Sequence, residues 1–65
     1  MKIMVNGEGR DVSAETLAAL LDELGYGDGR VATALNEDFV PAAARGATRL
    51  APGDRVEVVA PRQGG

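Results

Sequence analysis

Leu17, Leu20, Leu21 and Leu24 fall at i, i+3, i+4 and i+7, the spacing that lines one face of an α-helix. No other long stretch of the chain carries that period. Four leucines on one helical face have to be covered, and a lone helix cannot cover itself, so the rest of the chain must supply a sheet. Two residues ahead of the stripe, Ser13 and Thr16, can cap a helix. Thr16 is preferred because the apolar pattern starts directly after it. Asp22 and Glu23 fall on the other side, and Gly25 is suited to the left-handed position that ends a helix. Packing into a core is the ordinary use of such a stripe, and it outweighs a groove for a partner.

The segments on either side read as strands. Met1, Ile3 and Val5 alternate, Asn6-Gly7 suits the positive φ angles of a tight hairpin turn, and the chain can return through Gly9 to Val12. Residues 1 to 12 are therefore predicted to form a β-hairpin. Val31 to Leu35 alternates again and predicts a third strand, ending at Asn36-Glu37-Asp38. Phe39-Val40, stopped by Pro41, predicts a brief edge strand. Ala42 to Arg49 is poorly patterned, with at most one helical turn at Ala42-Ala43-Ala44. Pro52-Gly53-Asp54 predicts a turn, and Arg55 to Ala60 a last strand with Val56 and Val58 inward, ended by Pro61. Gly25, Gly27 and Gly29 are packed too closely for a dinucleotide-binding GxGxxG and predict a plain loop. Hairpin, helix, strand, short strand and final strand together predict an α+β fold. It is a mixed sheet of four to five strands wrapped around one main helix, with the first and last strands side by side at its centre. That is the β-grasp, or ubiquitin-like, architecture.

Sixty-five residues allow one domain, here residues 1–60, followed by a flexible C-terminal tail at 61–65. A domain this small buries about 60% of the surface its unfolded chain exposes, so its core must be thin. The chain has no cysteine for a disulfide and no histidine, which removes the common nucleophiles, general bases and transition-metal ligands. Ten acidic against seven basic residues give a net charge of −3, which argues against holding a nucleic acid. The acidic residues are scattered and read as a solvated surface with no metal site among them. Nothing in the sequence reads as a signal peptide or a membrane span, so a soluble, cytoplasmic protein is expected.

The sequence finishes on Gly64-Gly65. Two residues without side chains make the slimmest end a polypeptide can offer, and one that bends through conformations closed to other residues. Such an end can thread into a narrow active site. Its carboxylate, ionised at neutral pH because a free α-carboxyl titrates near ~3.5, can attack ATP to form an acyl-adenylate. Gln63, Gly64 and Gly65 are expected to be mobile in the free protein, since no apolar residue after Pro61 pins them.

The whole chain resembles the ThiS family, the sulfur-carrier proteins of thiamin biosynthesis. The resemblance is carried by Met1-Lys2-Ile3-Met4-Val5-Asn6-Gly7, by Thr16-Leu17-Ala18-Ala19-Leu20-Leu21 and by Asn36-Glu37-Asp38-Phe39-Val40-Pro41. It continues through Gly53-Asp54-Arg55-Val56-Glu57-Val58-Val59 to Gly64-Gly65. The order of these pieces, more than any one of them, makes the match. The family usually follows Val-Pro with Arg and, a few residues on, an aromatic. Here Ala42-Ala43-Ala44-Arg45-Gly46 has neither at those places, so the neighbouring sheet edge is expected to be held less tightly.

The resemblance implies a carrier and substrate, not an enzyme. An adenylating enzyme of the ThiF kind, which binds the ATP, would activate the Gly65 carboxylate. Sulfur from a donor such as a cysteine-desulfurase persulfide would convert it to a C-terminal thiocarboxylate, and thiazole synthase (ThiG) would take the sulfur for the thiazole ring. Gly64, Gln63 and Arg62 would thread into the partner sites, with Arg62 free either to meet a partner carboxylate or simply to solubilise the end. The chain would need no cofactor of its own, bind no nucleic acid or membrane, and be a monomer when free. Its recognition surface would be the exposed face of the sheet with residues 60–65. Three alternatives stay open. One is a MoaD-type carrier for molybdopterin, disfavoured because Ala60-Pro61-Arg62-Gln63 lacks an aromatic-Pro-Pro approach. The others are a ubiquitin-like modifier and a β-grasp protein-interaction module with no covalent chemistry.

Overall fold

The structure, a computed structural model, describes residues 1–26 and 30–60. Gly27-Asp28-Gly29, the centre of the glycine-rich loop, and Pro61 to Gly65, the tail, lie outside the described residues. The described chain forms five strands, one α-helix and one 3-10 helix. In order these are β1 (Lys2–Val5), β2 (Glu8–Asp11), α1 (Leu17–Glu23), β3 (Ala32–Leu35), β4 (Asp38–Val40), the 3-10 helix Ala42–Ala47 and β5 (Arg55–Val59). The sheet order is β2-β1-β5-β3-β4. The first and last strands run parallel at its centre, Val5 level with Val56, and every other pairing is antiparallel. This is the mixed sheet expected for a β-grasp domain, with α1 packed across one side.

Each local feature has a visible cause. Asn6 and Gly7 take φ of 50° and 84°, the twist a two-residue hairpin needs, and so set Val5 opposite Glu8. The Thr16 hydroxyl accepts from the Ala19 N–H at 3.2 Å, closing the start of α1 as expected. At the other end Leu24 caps the helix and Gly25 turns left-handed, with φ of 89°. The Gly25 N–H then donates to the Asp22 carbonyl and the Tyr26 N–H to that of Leu21. This pair of reverse bonds satisfies carbonyls that the helix itself leaves open. Ala51-Pro52-Gly53-Asp54 closes with an Asp54 N–H to Ala51 carbonyl bond of 3.1 Å and φ of 86° at Gly53, placing β5 in line with β1.

Alternation divides the sheet into two faces. Ile3, Val5, Val56, Val58 and Val40 point inward against Leu17, Leu20 and Leu21, and Val12, Ala14 and Leu50 close the rim. Leu24, the fourth residue of the stripe, packs against this core while only partly buried. Thr33 is the buried polar residue of the described chain. Its hydroxyl donates to the Val40 carbonyl at 2.8 Å, and among the described residues no buried side-chain nitrogen or oxygen is left without a partner.

The stretch after Pro41 differs most from expectation. One helical turn was predicted at Ala42–Ala44, whereas the 3-10 helix runs for six residues. The Thr48 hydroxyl holds its far end by donating to the Ala44 carbonyl at 2.7 Å. Nor is the neighbouring edge loose. The Arg45 guanidinium donates through Nε to Thr33 Oγ1 at 3.0 Å and through Nη2 to the Val31 carbonyl, tying the 3-10 helix to β3. An arginine three residues further along than the family pattern thus fastens the edge.

Candidate functional site

The tail residues assigned by sequence, Arg62, Gln63, Gly64 and Gly65, lie outside the described residues. What the fold does position is the strand that leads to them and the surface around its end. β5 is the central strand, flanked by β3 from Val56 to Val59 and by β1 at its start. A segment leaving Ala60 therefore departs from one of the best-anchored elements of the sheet.

Around that departure point the outer face of the sheet is apolar and open. Register sets Ala34 between Phe39 on β4 and Glu57 on β5, and Ala32 opposite Val59. Phe39 is 70% exposed and Val59 63%, with Met4 nearer the other edge at 36%. Beside Val59 a shallow hollow of about 360 Å³ is lined by Arg30, Val31, Ala32 and Val59. Charged groups sit among these residues: Arg55 lies 3.6 Å from the Glu37 carboxylate, while Glu57 projects from the middle of β5. An exposed aromatic ring with aliphatic and charged neighbours is a composition found in protein-binding patches. Phe39 was readable in the sequence as part of an edge strand. Its outward direction follows only from the register, because Val40 fills the adjacent inward place.

The two-residue turns at the start of β2 and β4 add contacts that no local pattern announces. The Asn6 carboxamide accepts from the Val58 N–H at 2.9 Å and donates to the Val58 carbonyl at 3.2 Å. Asn36 accepts from the Arg55 N–H at 2.9 Å and donates to Asp54 Oδ1 at 3.1 Å. Both asparagines hold left-handed backbones, with φ of 50° and 51°. They bracket β5, one on each side and one at each end. Among the described residues no group of three or more His, Cys, Asp or Glu side chains could hold a metal ion. No helix there is long and apolar enough to cross a membrane.

A sequence profile described as the ThiS family matches residues 3–65. The chain belongs to the ThiS family. Solved structures agree with that placement. The crystal structure of the thiamine biosynthesis protein (ThiS) from Geobacter metallireducens superposes with a TM-score of 0.82 at 32% identity, covering 100% of both chains. The solution structure of a thiamine biosynthesis protein from the same organism gives 0.81 at 32% identity, over 100% of this chain and 88% of that one. A curated relative, the thiazole synthase of Paramagnetospirillum magneticum, is 41% identical over 61 residues. The match takes in 92% of the ThiS-family chain but spans only 19% of that relative's length.

Proposed function

We propose that this chain is a sulfur carrier of thiamin biosynthesis whose reactive group is the Gly65 carboxylate. The observation that carries the reading is the family match, which runs to residue 65 and so includes Gly64-Gly65. The described fold supports it with a central strand, β5, that ends one residue before Ala60, and with exposed Phe39 and Val59 on the outer face of the sheet.

The chemistry follows from what the chain has and lacks. A carboxylate is a poor acyl donor because the leaving group would be oxide. Attack of a Gly65 oxygen on the α-phosphorus of ATP releases pyrophosphate and makes AMP the leaving group. A persulfide sulfur then displaces AMP, and reductive cleavage of the S–S bond by a thiol leaves the thiocarboxylate. ATP binding and the thiols belong to the partners: a ThiF-type adenylating enzyme and a sulfur donor such as a cysteine-desulfurase persulfide. With no cysteine or histidine, the carrier cannot divert the sulfur onto a side chain of its own. Residues 62–64 thread the partner sites, where glycine at 64 keeps the chain narrow. The carrier acts in the cytoplasm as a monomer, with no cofactor of its own.

Thiazole synthase is the proposed acceptor enzyme. The name of the curated relative favours this branch over molybdopterin, since the matched 19% of that longer protein lies in a thiazole synthase. Incubation with ATP, an adenylating enzyme and a sulfur source should exchange one terminal oxygen for sulfur, read by intact-mass spectrometry and located in the C-terminal fragment. Deleting Gly65 should abolish the exchange and leave the melting temperature unchanged. Sulfur found elsewhere, or undiminished transfer without Gly65, would overturn the proposal.

A further inference from the structure

On its β3 side β5 is paired through to its last residue, from Leu35 opposite Val56 to Ala32 opposite Val59. On its β1 side the ladder stops early. Met4 pairs with Arg55 and Val5 with Val56, the Asn6 N–H reaches the Val56 carbonyl at 2.9 Å, and β1 then turns away into its hairpin. Val58 would be left with an unpaired N–H and carbonyl on that side. The Asn6 side chain fills both places, accepting from one and donating to the other, where a continued β1 ladder would have used two main-chain groups. These two backbone groups also fix which end of the amide is oxygen, since only one orientation satisfies both.

We propose that Asn6 is a positioning residue for the carrier end: its carboxamide extends the β1 ladder to Val58 and so holds Val59 and Ala60, the residues to which the carrier end is joined. This rests on the reading of Gly65 as the reactive end. The contact joins residues 52 apart in sequence. It holds the last inward-facing residue of β5, beyond which only Val59 remains in the strand. Without it β5 keeps one neighbour at Val58, and Val59 and Ala60 are held from the β3 side alone. An enzyme that must receive a narrow end then captures fewer productive approaches, which raises KM and leaves the chemical step alone.

The structure provides a matched control. Asn36 has the same left-handed backbone and also holds β5 by its side chain, but at Arg55, the end remote from the tail. Asn6→Gly and Asn36→Gly each accept that backbone without strain and each remove one clamp. Amide exchange should quicken at Val58 in the first variant and at Arg55 in the second. In ATP-dependent activation by the adenylating enzyme, Asn6→Gly should raise the KM for the carrier about three- to tenfold with kcat preserved, the loss expected for one or two net hydrogen bonds. Asn36→Gly should leave both constants within about twofold of the parent's. Asn6→Asp keeps the turn and the acceptor but loses the donor, and should give a smaller rise in KM. Unchanged exchange at Val58 in Asn6→Gly, an equal rise in KM in both glycine variants, or no rise in either would overturn the assignment while the carrier reading stands. Failure of the parent chain to be activated would instead overturn the carrier reading, and the assignment with it.

Discussion

The two faces of the sheet are written by the same strands, one residue apart, and they differ in almost every physical respect. Along β5, Val56 and Val58 are buried to 1% and 6% exposure, whereas Val59 next to them is 63% exposed. Along β4, Val40 is buried and Phe39 lies open. The inner face meets a helix with a matching leucine stripe, and the outer face leaves Phe39 and Val59 open. Hydrophobicity alone therefore does not decide burial in a domain this small. Strand register does, and the apolar residues left on the outer face are free to recognise a partner without contributing to the core.

The largest effect that separates the faces is expected inside. Leu20 is fully buried between α1 and the sheet. Leu20→Ala should cost roughly 2–5 kcal/mol, and Leu21→Ala a similar amount, because a thin core cannot collapse onto the cavity. A domain of this size has little more stability than that in total, so either variant should be partly unfolded at 37 °C. Thermal melting by circular dichroism checks it, and a parent-like melt would show that the helix is not the inner layer.

That inner layer was almost fully legible in the sequence, and the reason is its locality. The hairpin at Asn6-Gly7, the cap at Thr16, the leucine spacing and the alternation in β5 are each set within a few residues, and each falls where the pattern put it. What the sequence did not disclose is non-local. Nothing around Asn6 announces a bond to Val58, and nothing around Arg45 announces Thr33 and Val31. The 3-10 helix was underestimated for the same reason: its alanines carry no period, and it is stabilised by a side chain that reaches across to β3. The outer patch was legible only in outline. Its members are ordinary strand residues, and register, not composition, decides that Phe39 faces out.

A smaller effect is expected at the joint between the two faces. Arg45 spans from the 3-10 helix to the buried Thr33 hydroxyl and the Val31 carbonyl. Arg45→Ala should cost about 1–3 kcal/mol, the usual loss for hydrogen bonds made by a charged donor. Arg45→Lys should recover only part of it, since a single ammonium cannot reproduce the planar pair of contacts. Chemical denaturation measures both. Equal stability in all three proteins would show that β3 and β4 are held by their backbone ladder alone, and that the arginine is not what compensates for the missing family residues.

The smallest effect on stability, and the one that most sharpens the contrast, belongs to the outer face. Phe39 and Val59 are mostly exposed, so Phe39→Ser and Val59→Ser should each change the unfolding free energy by less than about 0.5 kcal/mol. Recognition should respond in the opposite sense. An exposed aromatic is the kind of residue that anchors an interface. Phe39→Ser should therefore weaken binding to the adenylating enzyme or the thiazole synthase by about tenfold, or ~1.4 kcal/mol. Titration calorimetry of the variant against each enzyme, beside a melting curve, separates the two quantities. Unchanged affinity for both enzymes would move recognition off this face and leave it to residues 60–65. A lowered melting temperature would show that Phe39 supports the fold after all, and the division of labour between the faces would fail at that residue.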